Sequence, residues 1–404
     1  MTTFTTQSFI STYASSIEES ITIAITALAN QLKKEGKPII SLSAGEPDFD
    51  TPDYIKQSGI SAIQEGKTKY TAASGILELR QAVCDKLKRD QNLSYSPQQI
   101  VISCGAKQSI YNALMAVINP LDEVIIPVPY WVSYKDQVSL LGGKSILVQT
   151  TEKEQFKISP EQLKNAITPA TKLLILSSPS NPTGFVYSKE ELTALAKVIV
   201  DHNILVLSDE IYEKLLYDGL SFSSIAEVSQ DVKERTILIN GVSKSYAMTG
   251  WRIGYSAAAL PIATAMAQIQ SHTTSNPTTP SQWASLTALT QPSSFLSDMQ
   301  VVFEKRRNLM ISRLNQIPFV HCVTPQGAFY AFANIQGLIG KKSSSGLITD
   351  SATLCQILLK DIFLACVPGS GFGLEGYIRL SYATSEQQIQ EAMDRLEKWV
   401  KTLA

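Results

Sequence analysis

Three runs decide the fold: KLLILSSPSNPTG (172–184), ILVLSDEIY (204–212) and TILINGVSKSYAMTGWRIGYSAA (236–258). Each opens on consecutive apolar, mostly branched residues and closes on turn-forming ones. Consecutive rather than alternating apolar positions predict strands covered on both faces. Further runs at 39–43 (IISLS), 100–103 (IVIS), 123–127 (EVIIP) and 145–149 (SILVQ) read the same way. Helical spacing fills the gaps, at 18–35, 52–65, 75–90, 107–118, 130–141, 189–202 and 261–270. This alternation predicts a doubly wound α/β sheet, in which ligands bind beyond the carboxyl ends of the strands.

After 280 the pattern changes. A long charged helix is expected at 293–315, then a turn (TPQGAFY) and a strand (FYAFANI). A Ser/Gly/Lys-rich surface loop (340–346), a helix, a strand (YIRLSYA) and a terminal helix (385–402) complete a smaller α+β unit. The expected division is a large domain over 50–290 and a small discontinuous one from 1–49 and 291–404.

Composition excludes several classes. With 35 Lys+Arg against 36 Asp+Glu, the net charge is 35 − 36 = −1. That balance gives no electrostatic basis for binding nucleic acid or an anionic membrane. No run approaches the ~18–20 apolar residues of a membrane-spanning helix. The N-terminus has neither a basic, apolar secretory leader nor arginine, so a cytoplasmic location and a frayed polar arm are expected. The three histidines (His202, His272, His321) are isolated, so no metal site is expected. The five cysteines are scattered, odd in number and without a C-x-x-C, as for reduced buried thiols. Gly371, Gly373 and Gly376 spell G-x-G-x-x-G, but they precede a strand and lack the βαβ context of a dinucleotide site.

Four signals follow expected core strands. Gly105-Ala106-Lys107 opens a helix whose free amides suit a phosphate. Asn181-Pro182-Thr183-Gly184 is a turn. Asp209, followed three residues later by Tyr212, sits at the carboxyl end of a buried strand, where a carboxylate must be paired or hydrogen-bonded. Lys244 follows another strand, and Arg252, eight residues on, calls for an anion. Taken singly, each has a plain reading: a tight turn, a helix cap, an exposed lysine. Together they describe a pyridoxal 5′-phosphate pocket, with a lysine for the aldehyde, an acid for the pyridine nitrogen, and amides with an arginine for the phosphate.

The ordered blocks AGEPDFDTP, GKTKYTAASGILELR, PYWVSY, SNPTG, SDEIY, SKSYAMTGWRIGY, PQGAFY and YIRLSYATSEQ resemble those of the class I/II pyridoxal-phosphate-dependent aminotransferases. Among these the sequence is most similar to the bacterial aspartate aminotransferases of the Iβ subgroup, from about residue 15 onward. The resemblance implies fold type I: a mostly parallel seven-stranded sheet with helices on both faces, beside the smaller α+β domain. It implies that Lys244 carries the cofactor and serves as the base of the proton shift. Asp209 pairs with the pyridine N–H, and Tyr212 and Asn181 with the phenolic oxygen. Trp131 stacks on the ring. Gly105, Ala106 and Arg252 hold the phosphate, with Ser243 as an additional ligand and Tyr70 reaching in from a partner subunit. The implied assembly is a homodimer with shared active sites. Arg379 clamps the substrate α-carboxylate, aided by the Gly45 amide. Lys107 and Thr22 meet the second carboxylate, with Ser20 as a further candidate.

The implied reaction moves an amino group between L-aspartate and 2-oxoglutarate, giving oxaloacetate and L-glutamate. Ala106 departs from a Gly-Gly-Lys pattern, which is tolerable unless the position needs positive φ. Glu18 and Glu19 lower the expectation for prephenate. The alternatives are aromatic, prephenate/arogenate or kynurenine-type amino transfer, or β-elimination at the same cofactor, because fold alone does not select chemistry. A cofactor-binding regulator would need an appended DNA-binding module, for which the blocks leave no room at the N-terminal end.

Overall fold

The apolar runs become the strands they predict in the computed structural model, which describes residues 9–15, 17 and 21–404, leaving the side chains at 12, 13, 21–23 and 26 outside the description. In chain order the strands are β1 (Ile40–Ser41), β2 (Ile100–Ser103), β3 (Glu123–Val128), β4 (Lys144–Gln149), β5 (Thr171–Ser177), β6 (Leu205–Asp209) and β7 (Thr236–Gly241). They continue with β8 (Gly254–Ala257), β9 (Tyr330–Asn334), β10 (Lys342–Ser343), β11 (Gly346–Leu347), β12 (Leu364–Ala365), β13 (Val367–Pro368) and β14 (Tyr377–Ser381). The helices are α1 (Thr12–Ser15), α2 (Ile21–Lys34), α3 (Asp53–Gln64), α4 (Leu77–Gln91), α5 (Ala106–Val117), α6 (Ser133–Leu140) and α7 (Pro160–Ala166). They are followed by α8 (Lys189–Asp201), α9 (Gln230–Arg235), α10 (Leu260–Thr273), α11 (Thr279–Thr290), α12 (Phe295–Leu314), α13 (Ser351–Ile362) and α14 (Glu386–Val400).

Seven strands form one sheet in the order β2-β8-β7-β6-β5-β3-β4. Only β8 runs against its neighbours, so β2, β5, β6 and β7 end at the same edge. Both faces are covered. Val101, Val124, Ile126, Leu173, Ile175, Leu207, Ile237 and Ile239 enter one core. Their neighbours Ile100, Ile102 and Leu238 enter a second, and Ile125, Leu174, Leu176 and Val206 a third, on the opposite face. The edge strand β4 differs: none of its residues is fully buried, because it has a partner on one side only. A separate core gathers α12, α13, α14, β9 and β14, and takes in Ile40, Leu42, Tyr212 and Tyr217.

Several elements depart from the sequence reading. The segment at 39–43 keeps only two residues of strand. The 340–346 loop contains the hairpin β10–β11, whose residues are too few and too polar to show a period. Short α7 and α9 were not expected, nor was α11. In α11 the residues Thr279, Ser281, Gln282, Ala284, Ser285 and Ala288 are all buried, so no polar stripe marks it as a helix. The expected helix at 18–35 is described from Ile21, and the polar arm at 1–8 and residues Glu18, Glu19 and Ser20 lie outside the described residues. Gly371, Gly373 and Gly376 fall in a 3₁₀ turn and the loop before β14, which is no dinucleotide fold. Among the described residues no helix is long and apolar enough to cross a membrane.

Candidate active site

The sheet edge where β2, β5, β6 and β7 end opens into a cavity of ≈ 640 Å³. Its lining brings together Ala106, Lys107, Trp131, Asn181, Asp209, Tyr212, Ser243, Lys244, Arg252, Gly45 and Arg379, all singled out in the sequence. Topology explains the convergence. Lys107 follows β2, Asn181 follows β5, Asp209 ends β6, and Lys244 follows β7. Arg252 reaches the same edge because it precedes β8, the reversed strand. Arg379 comes from β14, outside this sheet. Tyr70 does not line the cavity and is 89% exposed. The side chain of Thr22 lies outside the described residues.

At one wall, Gly105 (φ 85°) turns β2 into α5. A Cβ on Gly105 would come within 2.3 Å of Arg252 Nη2, so only glycine permits this approach. Arg252 donates from Nη1 to the Thr249 carbonyl (2.9 Å) and from Nη2 to the Cys104 carbonyl (3.3 Å). The Gln108 and Ser109 amides close on the Gly105 carbonyl (3.0 and 3.3 Å), which leaves the Ala106 and Lys107 amides at the open end of α5. Amides and guanidinium together form an anion cradle. Ala106 is not among the residues with positive φ, so the missing second glycine carries no strain.

The centre of the cavity holds the titratable groups. Tyr134 Oη donates to Asp209 Oδ2 at 2.6 Å, and the Ile211 amide to Oδ1 at 3.3 Å. Burial pushes the Asp209 carboxyl above its usual range, while the Tyr134 and Ile211 bonds and the Lys244 charge pull it back. Lys244 Nζ donates to the Gly45 carbonyl at 2.6 Å. Burial lowers its pKa to about 8; Arg252 and Arg379 add to the fall, whereas Glu46 and Asp209 oppose it. Only the neutral amine attacks an aldehyde. Reconstitution of the apoprotein with pyridoxal phosphate is therefore expected to accelerate as the pH rises through about 8 and then level off. Stopped-flow absorbance checks this, and a rate still climbing between pH 9 and 10.5 would contradict it.

Arg379 is 2% exposed. Its Nη1 donates to Asn181 Oδ1 (3.0 Å) and its Nη2 to the Ser43 carbonyl (2.8 Å), while the buried Nε has no hydrogen-bond partner among the described residues. The guanidinium carbon lies 4.4 Å from the Tyr330 ring centroid. Tyr212 and Tyr330 share a hydrogen bond of 2.8 Å. Lys107 Nζ sits 4.9 Å from the Trp131 ring centroid, and burial lowers its pKa. The sequence reading missed Tyr134, Tyr330, Ser43, Glu46 and Asn30. Tyr134 and Tyr330 stand inside the blocks PYWVSY and PQGAFY, which were the available signal.

This sheet, with a lysine and an acid at its carboxyl edge, defines a ligand site of the α/β class. A family model for aminotransferase class I and II matches residues 37–396, and the chain belongs to that family. It is 48% identical to an aspartate aminotransferase of Bacillus subtilis over 387 residues, 96% of this chain and 98% of the relative. It is 46% identical to an aspartate/prephenate aminotransferase of Cereibacter sphaeroides, covering 98% of this chain and 100% of the relative. Among solved structures, the aspartate aminotransferase of Rhizobium meliloti superposes with a TM-score of 0.94 at 44% identity, covering 98% and 99% of the two chains. That of Thermus thermophilus, with maleate, gives 0.91 at 39% identity and coverage of 96% and 99%. The chain is thus an aminotransferase of fold type I.

Proposed function

We propose that this aminotransferase uses pyridoxal 5′-phosphate to move an amino group between L-aspartate and 2-oxoglutarate, giving oxaloacetate and L-glutamate. The observation that carries this reading is the convergence of Lys244, Asp209, the Gly105–Arg252 cradle and Arg379 on one cavity. The residues fit the cofactor: the cradle admits no Cβ and leaves helix-start amides for a phosphate, Asp209 is a buried acid, and Arg379 keeps a free N–H. Bound there, the cofactor would supply an aldehyde and an electron-accepting ring. Gly105, Ala106, Ser243 and Arg252 would hold its phosphate, and Asp209 its pyridine N–H. Trp131 would cover the ring. Asn181, whose oxygen is taken by Arg379, would offer its amide hydrogens to the phenolic oxygen beside Tyr212.

Lys244 then moves the proton. Its Nζ would take the proton from the substrate Cα and hold it as an ammonium for return, which the depressed pKa favours near neutral pH. Arg379, with the Gly45 amide, would orient the α-carboxylate. Lys107 and Thr22 would meet the second carboxylate, which is the basis for choosing a dicarboxylic substrate. The maleate in the Thermus structure, a four-carbon dicarboxylate, supports that choice for this chain.

The same reading makes the enzyme a cytoplasmic homodimer with the exposed Tyr70 completing the partner's site. It divides the chain into a large domain over 50–290 and a small one from 1–49 and 291–404. A second substrate, prephenate, is favoured by the relatives named for it.

A substrate panel tests the assignment. Lys107→Met is expected to lower kcat/KM for aspartate by roughly 10–100-fold, the value of a charge-assisted hydrogen bond, and to spare alanine. Arg379→Lys is expected to weaken every substrate, because an ammonium cannot reproduce the guanidinium fork. Equal losses for aspartate and alanine in Lys107→Met would reject the dicarboxylate reading. Ammonia release without keto-acid dependence would replace transfer by elimination.

A further inference from the structure

Behind the cavity lies a buried ionic cluster that the amino-transfer chemistry does not use. Its members are Glu210 (0% exposed), Glu213 (4%), Lys86 (3%) and Gln91 (3%). Gln91 Nε2 donates to Glu210 Oε2 (2.9 Å) and to Glu213 Oε2 (2.8 Å). Lys86 bonds Glu213 Oε1. Ser208 and Ser224 both donate to Glu210 Oε1, at 2.9 and 2.5 Å. Each ion buried this deeply costs several kcal/mol of desolvation.

The position of this cluster accounts for its presence. The turn after β6 carries two interleaved sets of side chains. Asp209 and Tyr212 line the cavity; Ser208, Glu210 and Glu213 belong to the cluster. The Glu213 amide donates to the Glu210 carbonyl at 3.0 Å, and the Glu210 amide to Ile239 of β7 at 2.9 Å. Gln91 thus ties both glutamates of the turn to the end of α4. A shift of the backbone here that re-aims Asp209 or Tyr212 would have to break this set.

We propose that Glu210, with Gln91, Glu213 and Lys86, is a positioning network that aims Asp209 and Tyr212 at the cofactor. The inference rests on the cofactor reading above and deepens it. The charges within the cluster are Lys86, Lys214 and Arg89 against Asp90, Glu210 and Glu213; Tyr95 and Tyr255 also face Glu210. Burial, reinforced by Glu213, raises the Glu210 pKa to about 8. Glu210→Gln, which keeps the length of the side chain and an acceptor oxygen for the Ser208 and Ser224 hydroxyls, serves as the conservative variant.

The test compares wild type, Glu210→Ala, Glu210→Gln and Ser224→Ala as cofactor-loaded enzymes. Measured are kcat and KM for the amino donor, the pH midpoint of the bound cofactor's absorbance, and apoprotein affinity for pyridoxal phosphate by fluorescence quenching. Glu210→Ala is expected to lower kcat about tenfold with less change in KM, to shift the absorbance midpoint, and to weaken cofactor binding. Glu210→Gln is expected to restore all three. Ser224→Ala removes one hydrogen bond from the cluster, and it supplies the same readouts in milder form if Glu210→Ala does not fold. A fall in thermal stability alone, with kcat per loaded site, midpoint and affinity unchanged, would overturn the proposal. A wild type that binds cofactor but transfers no amino group would reject the aspartate reading while the midpoint still decides the network. A wild type that binds no pyridoxal phosphate would overturn both.

Discussion

Lys244→Ala is expected to abolish turnover. On the proposed reading the variant loses both the amine that would anchor the cofactor and the base that would move the Cα proton. General acid–base transfer alone is worth roughly 10²–10⁴-fold. No other described cavity residue replaces it: Lys107 stands over the Trp131 ring and its neighbour Arg252 is permanently charged. Two measurements check this, coupled-assay turnover with aspartate and 2-oxoglutarate, and covalent cofactor retention after borohydride reduction. A variant that transaminates at near the normal rate would remove Lys244 from the mechanism.

Asp209→Ala is expected to be nearly as damaging, for a different reason. Asp209 is 5% exposed, and its carboxylate is the only acid of the turn that lines the cavity. Removing one partner of a buried charged pair costs about 3–5 kcal/mol, which corresponds to roughly 10²–10³-fold or more in rate if the loss falls on the transition state. Cofactor affinity should fall too. Tyr134 Oη would keep no acceptor where Oδ2 stood, adding the penalty of a buried unsatisfied hydroxyl. Single-turnover kinetics at saturating cofactor separate weaker binding from slower chemistry. Unchanged kinetics under those conditions would show that Asp209 does not act on the ring.

Some of this was readable along the chain because its causes are local. A buried strand announces itself by consecutive apolar residues, and the ends of β2, β5, β6 and β7 fall within a residue or two of their expected places. Asp209 ends such a strand and Gly105 and Lys244 stand just beyond two others, so one rule about parallel sheets nominated them together. Helix α11 was unreadable because its small residues are buried on several sides and carry no period. Tyr134 was unreadable as the partner of Asp209 because the two are 75 residues apart. Tyr330 pairs with Tyr212 across 118 residues. The buried glutamates read as ordinary charges, since nothing local distinguishes a solvated Glu from one held by Gln91.

The sequence by itself determined the strand-helix alternation, the residues at the strand ends and the resemblance that joins them. It did so because backbone coverage and turn chemistry are set by near neighbours. Only the tertiary structure decided that Arg379, from another sheet, hydrogen-bonds Asn181 and the Ser43 carbonyl across 198 and 336 residues. Likewise it placed Lys244 where burial brings its pKa to about 8, and it set Glu210 and Glu213 on the far side of the turn from Asp209. Aim, burial and charge coupling depend on which distant segments meet, and no local period encodes that meeting.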